Sequence, residues 1–246
     1  IRKNYMGYAS DEGSNLDSED IGLAGRLEQE FPYSIHVKDY SHIYNLIFKA
    51  GLKEIPDETL KIVNKICSHF SRSPQKRAKL NDIQAKAGSQ PLQILRYVDH
   101  RWLSMRECIE RILRLWDHLK EYYTTFKPKN IPLFDKDKEL SLRILLCLIN
   151  KINFYNIKFQ KTHIYYEEIF NLIDESFVVM SRLICKDKNI TMGQRSYTSF
   201  DEDSEDLLSE EEFTTEFVDA NGLSQLYEEA NILEREQILK AARKFI

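Results

Sequence analysis

A mainly helical fold with a small α/β patch at its N-terminal end is what this sequence predicts, and three observations predict it. Only 8 glycines and 6 prolines punctuate 246 residues, too few turn formers for a many-stranded sheet. From residue 57 onward, apolar residues recur three or four apart, the spacing of an amphipathic helix. Strand-like alternation is read only before residue 40.

The elements follow in order. Met6 to Ser10 reads as a short strand running into a polar loop, Asp11 to Asp20. A short helix follows around Ile21 to Glu30, with Ile21, Leu23, Leu27 and Phe31 as its apolar set. Tyr33 to Val37 then alternates like a second strand. Asp57 is a candidate N-cap for a helix whose apolar face is Leu60, Val63, Ile66, Cys67 and Phe70. Ser73 followed by Pro74 reads as a cap with proline at the first helical position. Ser104 and Glu107 have capping-box spacing, and Leu103 can staple onto Cys108. The apolar stripe beyond runs unbroken to Phe126, before Pro128 and Pro132. Two long helices are expected over about 136–159 and 162–185, then a last amphipathic helix from Leu223 to Phe245 with bases in its final turn. The organisation expected is an α/β segment over 1–50, a helical domain over 51–186, an acidic flexible linker over 187–222 and a C-terminal helix over 223–246.

Composition bounds what such a chain does. A hydrophobic fraction of 42% and an aromatic fraction of 11% suit a globular core rather than a disordered chain. The most apolar stretch, Ile144 to Ile157, is interrupted by Asn150, Lys151, Asn153 and Asn156, so no membrane span is expected. The first residues carry neither an initiator Met nor a signal-peptide hydrophobic region, which reads as an internal piece of a larger intracellular protein. Cys67, Cys108, Cys147 and Cys185 all fall within apolar helical patterns without metal-ligand spacing, as buried thiols of a reducing compartment do.

Charge is distributed unevenly. Residues 200–217 hold nine acids and no base, so without them the chain's net charge of −4 becomes +5. Residues 60–130 hold 15 Lys and Arg against 6 Asp and Glu. A basic middle and a separate acidic tract point to a polyanion-facing surface and an internal competitor for it. No phosphate-binding glycine loop, nucleophile elbow or zinc-protease motif is present, which removes most nucleotide-dependent and hydrolase classes.

Four segments remain, and they occur in an informative order. Tyr8-Ala9-Ser10-Asp11-Glu12-Gly13-Ser14-Asn15 comes first, then Asp39-Tyr40-Ser41-His42-Ile43-Tyr44-Asn45-Leu46. Phe70-Ser71-Arg72-Ser73-Pro74-Gln75-Lys76-Arg77 follows, and then Arg101-Trp102-Leu103-Ser104 with Glu110, Arg111 and Trp116. Together they resemble hAT-type DNA transposases: the strand-to-loop segment bearing the second catalytic Asp, the C-x-x-H element, the stretch before the helical insertion, and the RW segment. The chain departs from the pattern in carrying Glu12 as an extra residue and Asp39 where the family has Cys.

The resemblance implies a truncated ribonuclease-H-like core interrupted by a helical insertion domain. Such a core holds two Mg²⁺ between three carboxylates, activating the attacking oxygen and stabilising the leaving one. Carried over residue by residue, Asp11 is the single catalytic and metal-ligand candidate, Trp102 stacks on DNA bases, and Arg101 neighbours it. Arg72, Lys76, Arg77 and His42 complete the DNA-binding candidates. The other two carboxylates have no match in these residues, so the expectation is a DNA-binding remnant that does not catalyse transposition alone and holds no cofactor itself. Mg belongs to the full-length enzyme if that is active. DNA, a second copy of the chain and a nuclear location are the partners and place the resemblance implies. Alternatives stand beside it: a helical protein-interaction module, or a fragment of an active metal-dependent transposase. On the residues alone, Asp11 also reads as a turn former, His42 as a hydrogen-bonded structural histidine, Trp102 as a core or staple residue, and Arg72, Lys76, Arg77 and Lys79 as a solvated helix face.

Overall fold

The computed structural model describes residues 7–10, 22–97, 102–160, 165–186 and 206–246. At the N-terminal end, β1 (Gly7–Ser10) pairs in parallel with β2 (Ile35–Lys38), Gly7 lying opposite Ile35 and Ser10 opposite Lys38. Parallel strands need a crossover connection, and α1 (Leu23–Glu30) lies within it. The second strand sits two residues later than the alternation indicates. Pro32 and Tyr33 form a turn, and Tyr33 is almost wholly exposed.

α2 (Tyr40–Leu52) starts at Asp39, whose carboxylate accepts the His42 backbone N–H at 3.2 Å. This helix runs through the expected boundary at residue 50. α3 (Asp57–Ser71) buries Ile62, Val63, Ile66, Cys67 and Phe70. Its cap position is taken by Pro56, so Asp57 lies in the first turn, where its charge opposes the helix dipole. α4 (Pro74–Lys86) begins as expected: Ser73 Oγ accepts the Lys76 N–H at 3.4 Å, with Pro74 in the first turn.

The stripe expected as one helix is two, α5 (Trp102–Arg114) and α6 (Trp116–Phe126). Ser104 therefore lies inside α5 rather than capping it. Between the two helices, the Leu115 N–H is shared between the Arg111 and Ile112 carbonyls. The bend keeps Leu115 and Trp116 both buried and sets Trp116 against Phe134, ring centroids 5.0 Å apart. Phe134 ends a 3₁₀ turn, Pro128–Phe134.

α7 (Lys136–Phe159) is the axis of the molecule. Leu140, Leu142, Ile144, Leu145, Leu148, Ile149 and Ile152 are buried over more than half of its circumference, and so wide an apolar face lets helices pack on it from several sides. α2, α3, α5, α8 (Tyr166–Ile184), α10 (Ser224–Glu229) and α11 (Ile232–Phe245) all pack on it.

The expected flexible linker over 187–222 is corrected by its second half. Residues 187–205 lie outside the described residues, but Cys185 and Leu207 form an antiparallel bridge and α9 (Glu210–Ala220) follows. Ser209 and Glu212 make a reciprocal capping box at 3.2 and 2.8 Å, and Phe213, Phe217 and Val218 are buried. The acids crowd the first turn and the outer face, where helix geometry favours them. The single helix expected over 223–246 is also two, because Asn231 caps α11 by accepting the Leu233 N–H at 3.0 Å. α11 docks on α2 so closely that a Cβ added to Gly51 would lie 2.7 Å from the Phe245 ring.

Candidate nucleic-acid interface

From Thr59 to Asn81 the chain has six Lys or Arg and no acid. Folding brings part of this run to the corner where α3 ends, α4 begins and the end of α6 packs against α4. Four cations stand there: Arg72 at the end of α3, Lys76 and Lys79 on the first turns of α4, and Lys127 just past α6. Among the described residues, none of the four pairs with a carboxylate, whereas Lys61, Lys136, Lys138, Lys158 and Lys240 all do.

The corner is held by neutral or buried groups. The Lys76 ammonium donates to His69 Nδ1 at 3.4 Å. That leaves the ring proton on Nε2, which lies 3.2 Å from the Tyr122 hydroxyl. Burial first, then the charges of Lys76 and Lys127, pushes His69 down to about 4. The imidazole is therefore neutral at neutral pH and adds no repulsion to its lysine neighbours. Behind it, the fully buried rings of Phe70, Tyr122 and Tyr123 pack together, Phe70 and Tyr122 at 4.9 Å between centroids. Lys79 Nζ lies 4.4 Å over the Phe126 ring, a contact that orders the side chain without neutralising it.

Of the residues predicted from sequence, Arg72, Lys76 and Arg77 come together here. Arg77 has a structural task, because its Nη1 donates to the Phe70 and Ser71 carbonyls at 3.3 and 3.0 Å and closes the end of α3. His42 does not join them. It lies in the first turn of α2, whose main packing partners are α7 and α11. Asp11 and Arg101 lie outside the described residues, and Trp102 opens α5 with a side chain that is not described. His69, Phe126 and Lys127 were not legible as site residues. They are joined to residues 72–79 only by the packing of α4 on α6, and no sequence spacing encodes that contact.

Two concavities lie elsewhere. One, about 300 Å³, is apolar and opens between α2, α7, α8 and the end of α11, lined by Ile43, Ile47, Ile152, Phe177, Met180 and Phe245. Tyr44 and Ser176 are hydrogen-bonded at its wall, and burial pushes the Tyr44 phenol up. The other, about 390 Å³, lies between α9 and α11 and carries the Glu210–Lys240 ion pair at 3.1 Å. The four cysteines are free thiols, with Cys67, Cys108 and Cys185 buried and Cys147 half-buried. Among the described residues no group of three His, Cys, Asp or Glu is placed to hold a metal ion, and no helix is long and apolar enough to cross a membrane.

No family model, curated protein or solved structure matches the chain.

Proposed function

We propose that this chain binds DNA through the α3–α4–α6 corner and is the remnant of a hAT-type transposase that does not cut DNA by itself. The observation that carries the reading is the group of four cations without carboxylate partners among the described residues, two of which, Lys76 and Lys127, act on a neutral histidine. Charges arranged this way are available to phosphates, and their release of counterions drives binding that is tight at low salt and largely indifferent to sequence. The segment that builds the corner, Phe70 to Arg77, is one of the four on which the resemblance rests. The parallel β–α–β unit ending at Ser10 and Lys38 is compatible with a piece of a ribonuclease-H-like sheet.

Mg²⁺ chemistry would need three carboxylates. Only Asp11 matches a family position, and the described residues supply no metal-ligand cluster, so no step is routed through a metal. A nuclear location and self-association belong to the same proposal.

The test is fluorescence anisotropy with labelled duplex DNA over a salt series. Lys76→Glu, Lys79→Glu and Lys127→Glu together are expected to abolish most of the affinity and to flatten the salt slope by roughly two to three, at about 0.7–0.9 per phosphate contact. Unchanged binding by this triple variant would overturn the assignment. A second reading, a helical protein-interaction module, is favoured by the apolar groove between α2, α7 and α8. Its sign would be capture of a protein partner that survives nuclease treatment and is lost in Ile47→Glu.

A further inference from the structure

Resting on the nucleic-acid reading, we infer that the corner takes unpaired rather than duplex nucleic acid, with Phe126 as the surface on which a base stacks. Phe126 is the last residue of α6 and is 39% exposed. It continues the apolar stripe of Trp116, Leu119, Tyr122 and Tyr123, all buried. The stripe surfaces at Phe126 because the helix ends there and Lys127 and Pro128 turn the chain away.

Its surroundings distinguish it from an ordinary exposed apolar residue. One side rests on Tyr122, ring centroids 5.2 Å apart, and Tyr122 is fixed by His69 and Phe70. The ring is therefore braced from behind. Over another face stands the Lys79 ammonium, and Lys127 is the next residue along the chain. An aromatic ring with one cation over it and another on the next residue matches the alternation of bases and phosphates along a single strand, which is bound by stacking and charge together.

A duplex offers the four cations its phosphates but hides its base faces, so Phe126 serves duplex binding only by ordering Lys79. An unpaired base covers the ring and releases Lys79 to the adjoining phosphate. The cation now over the ring is exchanged for a base, and the ammonium gains a fully charged partner in place of a quadrupole. Nothing in this arrangement reads base identity, because every base has a stacking face. A 2′-hydroxyl is also neither required nor excluded, so single-stranded DNA and RNA satisfy the same chemistry.

The experiment compares labelled single strands of about 15 nucleotides, as DNA and as RNA, with the matching DNA duplex and with inorganic polyphosphate, a polyanion without bases. At equal salt the full chain is expected to hold either single strand more tightly than the duplex or polyphosphate. Phe126→Ala is expected to lower single-strand affinity roughly 5- to 100-fold, the worth of one stacked base, and to lower duplex and polyphosphate binding by about twofold at most, through loss of the contact that orders Lys79. Phe126→Trp is expected to restore single-strand binding, with the emission it introduces quenched by the strand. Both variants are at an exposed position, so folding is checked directly by their melting curves. Equal affinity for strand and duplex, with Phe126→Ala silent on both and the Trp emission unmoved, would overturn the inference while leaving the charged corner in place. Failure of every nucleic acid to bind would remove the corner as well.

Discussion

The corner at α3, α4 and α6 and the C-terminal segment from α9 to α11 both present dense like charge, yet they dispose of it in opposite ways. At the C-terminal segment four of the acids are engaged within the fold. Glu212 accepts the Ser209 N–H, Glu210 pairs with Lys240 at 3.1 Å, Glu229 with Lys136 at 2.9 Å and Glu234 with Lys138 at 2.7 Å. The hydrogen bond and charge of Lys136 hold Glu229 below its usual range, and the Ser209 bonds do the same for Glu212. At the corner, Arg72, Lys76, Lys79 and Lys127 find no carboxylate among the described residues; Lys76 is held by an imidazole and Lys79 by an aromatic ring. Charge density in a sequence is thus not a measure of available charge. What counts is whether the fold supplies the counter-charge.

The largest effect should expose that difference directly. Reversing Lys76, Lys79 and Lys127 is expected to lower DNA affinity on the order of 100-fold or more at low salt. Reversing Glu210, Glu211 and Glu216 is expected to change it by about twofold at most, since Glu210 is paired with Lys240 and all three lie on α9, away from the corner. Anisotropy titrations of both variants check this. A large gain in affinity from the second would mean that the acidic tract does compete with DNA, as charge asymmetry alone predicted. Next in size is the joint between the C-terminal segment and the body. Gly51→Ala forces the Phe245 ring to move from 2.7 Å contact, and overpacking of this kind costs about 1–3 kcal/mol. The expected result is a lower melting temperature with DNA binding per folded molecule unchanged. An unchanged melt would make α11 an appendage rather than part of the core.

How much of this was legible beforehand depends on the range of the interactions involved. Several short-range signals were read correctly, although Asp57 and Ser104 do not cap the helices they were read to start. Ser73-Pro74 starts a helix, the stretch 136–159 is one helix, and two short strands flank a helix near the N-terminus, because caps, proline and apolar periodicity act within a turn or two. The bend at Leu115 carried no signal, since no Gly or Pro marks it. It comes from tertiary packing of Leu115 and Trp116. The acidic stretch was misread because nine acids outweighed Phe213, Phe217 and Val218, three residues whose burial decides that α9 forms. At the corner, the cations of one segment were visible, but not their meeting with Tyr122, Phe126 and Lys127 about 50 residues away. That requires knowing that α4 packs on α6. It also could not be seen that Arg77 is occupied by the end of α3 while the Lys76 ammonium is bonded to His69.

Two smaller effects sharpen the contrast within the fold itself. Ser209→Ala removes one half of the capping box on α9 and should cost about 1 kcal/mol, seen as an earlier urea midpoint and faster exchange of the amides in the first turn of that helix. No change would return this segment to the status of a linker. The corner should respond to pH instead. His69 lies at about 4 in the folded protein and near 6.5 when unfolded, so between those values the unfolded chain binds the extra proton. Stability contributed by the neutral ring is full above about pH 6.5 and is lost as pH falls toward 4. Protonation would place a cation against Lys76 and Lys127 and remove the acceptor for the Lys76 ammonium. His69 is only half-buried, so solvent screens part of the interaction and the effect is the smallest of the set. Urea melts of the natural chain and of His69→Gln at pH 7.5 and 4.5 isolate it. The carboxylates titrate alike in both proteins, and the natural chain is expected to lose more stability than the variant across this window. Parallel losses would mean that His69 takes up its proton as readily in the folded chain as in the unfolded one, its lysine neighbours swinging clear, and the corner would then lose its central support.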